Sequence, residues 1–199
     1  PKDYDPMAPP HTDRFDLTGR VSLVTGATKG LGRTMVQGLA EAGSDVVVVS
    51  RKLDLCEQVA AEVAESTGRR ALPLACHMGE WDAIPELVDR VYKEFGRIDV
   101  LVNNAGINPA MTPITEISEA YFDKLCSVNL KGPLRLAALV APRMGEHGGG
   151  SIINVATLGA YAAGPGVGTY TGLKAALLNF SKTMAAEWVS LGVRVNVLS

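Results

Sequence analysis

The chain has 199 residues, 47% of them hydrophobic and 20% charged, with 21 glycines and 11 prolines. That composition suits one large folded domain and excludes disordered, collagen-like and disulfide-scaffold classes. Nineteen basic residues against 21 acidic ones leave a net charge of -2 and a pI near 6.0, so nothing demands nucleic acid or an anionic membrane as partner.

The first sixteen residues, PKDYDPMAPPHTDRFD, hold four prolines and no apolar run. They read as a flexible arm rather than a signal peptide, with the folded domain over 17–199. No stretch approaches the roughly 20 apolar residues that cross a bilayer, so a soluble protein is expected. Cys56, Cys76 and Cys126 are odd in number and far apart, which favours buried reduced thiols and a cytoplasmic location.

Beyond the arm, strand and helix patterns alternate. Val21–Thr25 is a short apolar run, followed by glycines and a helical stretch over Leu31–Ala42. Asp45–Ser50 is almost all valine, as in a strand covered on both faces. Lys52–Ser66 has helical periodicity, with Leu55, Val59 and Val63 on one side. Ala71–Cys76 is a weaker strand, Ala83–Phe95 an amphipathic helix and Ile98–Val102 a strand. Glu116–Met144 predicts one or two helices, Ile152–Val155 a strand, Tyr170–Ser190 a helix and Val193–Leu198 a last strand. Repeated βαβ units imply an α/β fold, a three-layer doubly wound parallel sheet of Rossmann-like form. Ligands bind such sheets beyond the carboxyl ends of the strands. The loop after Val193–Leu198 should therefore line the pocket, and further residues beyond Ser199 are expected to complete the C-terminal part.

Three local patterns carry chemistry. Thr25-Gly26-Ala27-Thr28-Lys29-Gly30-Leu31-Gly32 lies where the first strand meets the first helix. Gly26 permits a tight turn, Gly30 lets backbone approach a pyrophosphate, and Gly32 lets helix pack on sheet. The amides and dipole of the helix start attract the anion. After the second strand stands Ser50-Arg51-Lys52, where a carboxylate would favour NAD. A guanidinium there can pair with a ribose phosphate, helped by Lys29 and the Ser50 hydroxyl, so NADP is expected over NAD. The bland alternative is that Arg51 and Lys52 face water at a helix start. Third, Tyr170 and Lys174 are four apart and share one helix face. A free phenol titrates near about 10, and a neighbouring ammonium would lower that value.

Four segments in order make a recognisable set: the glycine turn, Asn103-Asn104-Ala105-Gly106, Asn129 within Ser127–Gly132, and Tyr170-Thr171-Gly172-Leu173-Lys174. Together they resemble the short-chain dehydrogenase/reductase family in its single-domain form, over about Leu17 to Ser199. The resemblance implies hydride transfer between a nicotinamide cofactor and a carbonyl or alcohol, with Tyr170 as acid–base group. Lys174 would bind the nicotinamide ribose and lower the tyrosine pKa, and Asn129 would hold a water in a proton relay. Gly26, Thr28, Lys29, Gly30, Leu31, Gly32, Ser50, Arg51, His77, Met78, Asn104, Ala105 and Gly106 would contact the cofactor, together with Tyr170 and Lys174. The asparagine-rich segment would support the adenine side and the central sheet.

Two departures from the family pattern stand out. The usual catalytic serine, thirteen residues before the tyrosine, is Thr157 here. It keeps a hydroxyl, with an added methyl that stiffens χ1. Where many relatives carry an Asp after the third strand, this chain has Cys76-His77-Met78-Gly79. His77 could bond or stack on adenine; no other ligand at metal spacing accompanies it. The closest likeness within the family is to NADP-linked carbonyl reductases of ketones, retinoids or dicarbonyls. NAD-linked, oxoacyl or sugar-acid enzymes share most of the motifs, and a non-catalytic nucleotide-binding protein is the competing class. The resemblance also implies a homo-oligomer, dimer or tetramer. Its contacts would come from Leu134, Leu136, Leu139, Val140, Leu177, Leu178, Met184 and Trp188, side chains that would serve equally in the core.

Overall fold

The computed structural model describes residues 15–162 and 164–199. Of the expected arm, only Phe15 and Asp16 lie among them. Six strands form one parallel sheet in the order β3-β2-β1-β4-β5-β6. They are β1 (Val21–Thr25), β2 (Asp45–Ser50), β3 (Ala71–Ala75), β4 (Val100–Asn103), β5 (Gly150–Val155) and β6 (Val193–Leu198). The doubly wound α/β architecture read from the alternating pattern is the one observed.

The valine run of β2 explains the two-sided packing. Successive side chains of a strand point to opposite faces. Val47 and Val49 enter one apolar cluster with Leu87, Leu136 and Val140, while Val46 and Val48 enter another with Val36, Val59 and Val63. Helices α1 (Gly30–Glu41) and α2 (Leu53–Thr67) therefore cover one face. The other face carries α3 (Ile84–Phe95) and α5 (Gly132–Glu146). Pro73 sits in β3, an edge strand, where its missing N–H costs no internal ladder bond.

The stretch expected as one or two helices is interrupted in a specific way. Helix α4 (Glu119–Cys126) runs into a π-helical turn, Ser127–Lys131, and then into α5. The wider turn carries Asn129. Helix α6 (Gly168–Glu187) begins two residues before Tyr170 and ends before the expected Ser190, with a 3-10 turn over Val189–Leu191. Among the described residues no helix is long and apolar enough to cross a membrane.

Leu136, Val140, Leu177 and Met184 are buried, and Leu134, Leu139 and Trp188 pack against the core, while Leu178 is half-buried. Of the two places that the sequence leaves open to these side chains, the core holds the four buried ones. Cys56 and Cys76 are buried free thiols, raised by burial above the ordinary thiol value, whereas Cys126 is only partly covered.

At the amino-terminal end of the sheet, Asp99 is 5% exposed. It accepts from Arg20 Nη1 at 2.9 Å, from Arg97 Nε at 2.8 Å and from the Val21 N–H at 2.9 Å. Burial pushes its carboxyl up, but the bonds from Arg97, Val21 and Arg20 outweigh this and hold it below its ordinary value.

Candidate active site

The glycine turn is built as its spacing implies. Gly26 and Gly30 have φ of +66° and +52°, left-handed values that suit glycine. A Cβ on Gly32 would lie 2.2 Å from the Gly26 carbonyl oxygen, so only hydrogen lets α1 begin this close to the turn. Asn104 Nδ2 donates to the Thr25 and Gly26 carbonyls at 2.9 and 3.2 Å. Thr25 Oγ1 in turn accepts from the N–H groups of Asn104 and Ala105 at 3.1 and 3.0 Å. Asn104 therefore latches the turn to the end of β4, and its amide is spent on that task. The N-cap residue of α1, Lys29, offers its first turn no side-chain acceptor. Those N–H groups remain for an anion.

Beside the turn lies a cleft of about 300 Å³. Gly26, Thr28, Lys29, Ser50 and Arg51 form one part of its wall; Cys76, His77, Met78, Ala105, Gly106, Ile107, Pro109, Lys124 and Val128 form the rest. Thr28 Oγ1 donates to Ser50 Oγ at 3.1 Å, tying the turn to the end of β2. Three cations, Lys29, Arg51 and Lys124, line the cleft and no carboxylate does. Lys124 was not foreseen, because its helix joins the cleft only through the fold. Gly30, Leu31, Gly32, Asn104, Tyr170 and Lys174 do not line it; Leu31 is 67% exposed.

His77 is half-buried, and its Nδ1 accepts the Gly79 N–H at 3.0 Å. Its other ring nitrogen is the one left for a ligand. Met78 is buried, and its carbonyl meets the start of α5 so closely that a Cβ on Gly132 would lie 2.1 Å away. The wall after β3 therefore rests on a helix start. Among the described residues no cluster of His, Cys, Asp and Glu could hold a metal.

Gly106 joins this cleft to the catalytic candidates. A Cβ placed on it would lie 3.0 Å from Asn129 Oδ1 and 3.5 Å from Lys174 Nζ. Lys174 is 2% exposed and donates from Nζ to the Val155 carbonyl at 2.8 Å. Burial pushes its ammonium down to about 8. Tyr170 is half-buried one turn earlier on α6, and burial raises its phenol above the ordinary value. This departs from the expectation that Lys174 would lower it. The cation is turned to the Val155 carbonyl and is itself short of solvation.

The Asn129 side chain is held by its own neighbours. Its Oδ1 accepts the Ile107 N–H at 3.0 Å, and its Nδ2 donates to the carbonyls of Ile107 and Leu125 at 2.9 and 3.0 Å. Both amide hydrogens are thus used within the protein. The side chain pins the strand-to-cleft segment at Ile107. Thr157 follows β5 in extended backbone and accepts the Gly159 N–H at 3.3 Å. Its own hydroxyl hydrogen stays free to donate. The added methyl finds room, because Gly159 stands between Thr157 and Thr171.

Known proteins resemble this chain in sequence and in fold. The family model for short chain dehydrogenase matches residues 20–199. The human protein "Dehydrogenase/reductase SDR family member 4" is 36% identical over 188 residues, 94% of this chain and 67% of that protein. The 2-dehydro-3-deoxy-D-gluconate 5-dehydrogenase of Escherichia coli K12 is 37% identical over 188 residues, 93% of this chain and 72% of that protein. The crystal structure of L-sorbose reductase from Gluconobacter frateurii, complexed with NADPH and L-sorbose, superposes with a TM-score of 0.89 at 32% identity. That match covers 92% of this chain and 69% of the other. The chain thus spans about two thirds of the human relative's length. It belongs to the short-chain dehydrogenase family.

Proposed function

We propose that the protein is an NADP-dependent oxidoreductase that interconverts a small-molecule carbonyl and its alcohol, with Tyr170 as the acid–base group. The observation that carries this reading is the continuity of the site. A carboxylate-free cleft lined by Lys29, Arg51 and Lys124 reaches Gly106, which abuts Asn129 and Lys174. Such a wall suits a polyanion.

The dinucleotide would be held by the Gly26–Gly32 turn and the bare start of α1. Arg51, Lys29 and the Thr28–Ser50 hydroxyl pair would take the ribose phosphate, and His77, Met78, Ala105 and Val128 would line the adenine side. When bound, its nicotinamide supplies or accepts the hydride. The chain's own part is positioning and proton control. Tyr170 gives its phenolic proton to the substrate oxygen in reduction and takes it back in oxidation. Thr157 donates its free hydroxyl hydrogen to the same oxygen. Lys174, depressed to about 8, holds a proton it can release near neutral pH to recharge the phenol. Asn129 keeps Ile107, and with it the cleft floor at Gly106, in place.

The carbonyl reductase reading, with ketones, retinoids or dicarbonyls as substrates, rests on the Ser50-Arg51 ending and the Cys76–Gly79 stretch. A keto sugar acid is the second reading, favoured by the 37% identity to the bacterial gluconate-type dehydrogenase. We place the enzyme in the cytoplasm as a homo-oligomer. Phe122 of α4 and Phe180 of α6, each 45% exposed, support association through those helices.

The test has two arms. Fluorescence titration should show NADPH binding about tenfold tighter than NADH, and Arg51→Ala should remove that preference. NADPH consumption should then be followed with diacetyl, retinal and a keto sugar acid. Equal affinities would overturn the cofactor assignment, and NADPH binding without turnover of any carbonyl would identify a nucleotide-binding protein instead.

A further inference from the structure

A chain of buried polar side chains crosses the domain behind the site, and the mechanism above does not use it. Asn103, the last residue of β4, and Asn154, the last but one of β5, are register partners, and Asn103 Nδ2 donates to Asn154 Oδ1 at 2.8 Å. Asn154 Nδ2 then donates to Ser181 Oγ on α6 at 2.8 Å, and Ser181 Oγ donates to the Leu177 carbonyl at 2.7 Å. Asn103, Asn154 and Ser181 are at most 2% exposed. Asn103 also reaches the Pro133 carbonyl in the first turn of α5, at 3.4 Å, while its own Oδ1 is buried without a partner.

A buried, unpartnered carbonyl oxygen is costly, and apolar side chains would fill the same space without that cost. What the polar chain adds is direction. Apolar contacts hold a helix to a sheet but, being non-directional, do less to fix its height and rotation. A hydrogen bond of 2.8 Å does both. Ser181 stands seven residues after Lys174, on the same buried stripe of α6 as Leu177. Fixing Ser181 on β5 therefore fixes the stripe that carries Lys174 to the Val155 carbonyl, one residue beyond Asn154. Two bonds, Ser181 to Asn154 and Lys174 to Val155, hold α6 to the same strand end.

We propose that Asn154 and Ser181 are positioning residues: they clasp α6 to β5 and so set Lys174 and Tyr170 at the place where the substrate oxygen is protonated. The proposal rests on the oxidoreductase reading above. Misplacing an acid–base group by a fraction of an ångström slows the chemical step while leaving remote binding unchanged.

The test compares wild type, Ser181→Ala and Ser181→Thr in the full-length protein. Ser181→Ala should lower kcat about tenfold, with KM and the fluorescence-measured Kd for NADPH within about twofold, and Ser181→Thr should restore kcat. If Ser181→Ala does not accumulate folded, Ser181→Cys, of similar volume and weaker bonding, takes its place. An unchanged kcat overturns the clasp. So does a loss that Thr does not restore, or a loss matched by weaker NADPH binding, since that marks general disruption. A wild type that turns over no carbonyl overturns the functional reading, and the proposal with it.

Discussion

Two buried charges at opposite ends of the sheet are treated in opposite ways. Asp99, at the amino-terminal end, is met by two arginines and a backbone N–H. Lys174, towards the carboxyl end, is almost fully enclosed, with one carbonyl as its partner and no carboxylate. The first arrangement lowers the free energy of a charge that must stay charged. The second raises the free energy of a charge that, in the proposed mechanism, leaves. Neutralising Asp99 serves the fold, whereas the poorly compensated ammonium is a cost to the fold that the proton-transfer role proposed for Lys174 would explain.

The contrast can be broken at four points. Tyr170→Phe removes the group that Lys174 is proposed to recharge. Turnover should fall about thousandfold, the scale of a lost general acid, with NADPH titration near normal. A variant that reduces diacetyl at the wild-type rate would remove the purpose assigned to Lys174. Asp99→Asn comes next. It leaves Arg20 and Arg97 without their anion, though both are partly in water. Urea unfolding should show a loss of about 2 kcal/mol. Because the folded carboxyl is held below its ordinary value, Asp99's contribution is complete above about pH 4 and fades as pH falls further. A wild-type-minus-variant difference that grows in acid would contradict it.

Lys174→Met should abolish rapid turnover and yet stabilise the protein, by about 1–2 kcal/mol near pH 7, once the lost bond to Val155 is subtracted. The folded lysine is depressed from 10.5 to about 8, so the folded state binds the proton less well than the unfolded chain. The wild type therefore bears the whole cost below about pH 8 and sheds it as pH climbs to 10.5. The variant's gain in Tm should be larger at pH 7 than at pH 10. A variant less stable at pH 7 would show that the ammonium is better compensated than its surroundings indicate. The smallest effect is expected for Thr157→Ser, which keeps the hydroxyl and removes one methyl. A change in kcat within about threefold is expected, and a hundredfold change in either direction would show that the methyl shapes the substrate site.

How much of this was legible in the residues depends on sequence separation. The glycine turn, Arg51 after β2 and the Tyr170–Lys174 pair are local patterns, and the periods of helix and strand place them at a strand-to-helix turn, a strand end and one helix face without tertiary knowledge. The α/β layering was legible for the same reason, down to the valines of β2 that divide between two cores. What was not legible are bonds between distant residues. Asn104 reaches Thr25, 79 positions away, and Asn103 reaches Asn154, 51 away. Only the strand order puts these together. The bonds of the Asn129 side chain to Ile107 and Leu125 are hidden from the sequence in the same way. So is the choice between core and subunit contact for the leucines of α5 and α6, which the sequence leaves open and burial decides for Leu136 and Leu177.

The contact between Gly132 and the Met78 carbonyl has a consequence for engineering specificity. Residue 132 does not line the cleft, yet any side chain there must displace the backbone that forms one side of it. Cleft width is therefore set from behind, at a helix start outside the cleft's own wall. Libraries aimed only at the lining residues would leave that spacer in place, and an alanine at 132 is a way to retune the proposed adenine side without altering one surface group inside it.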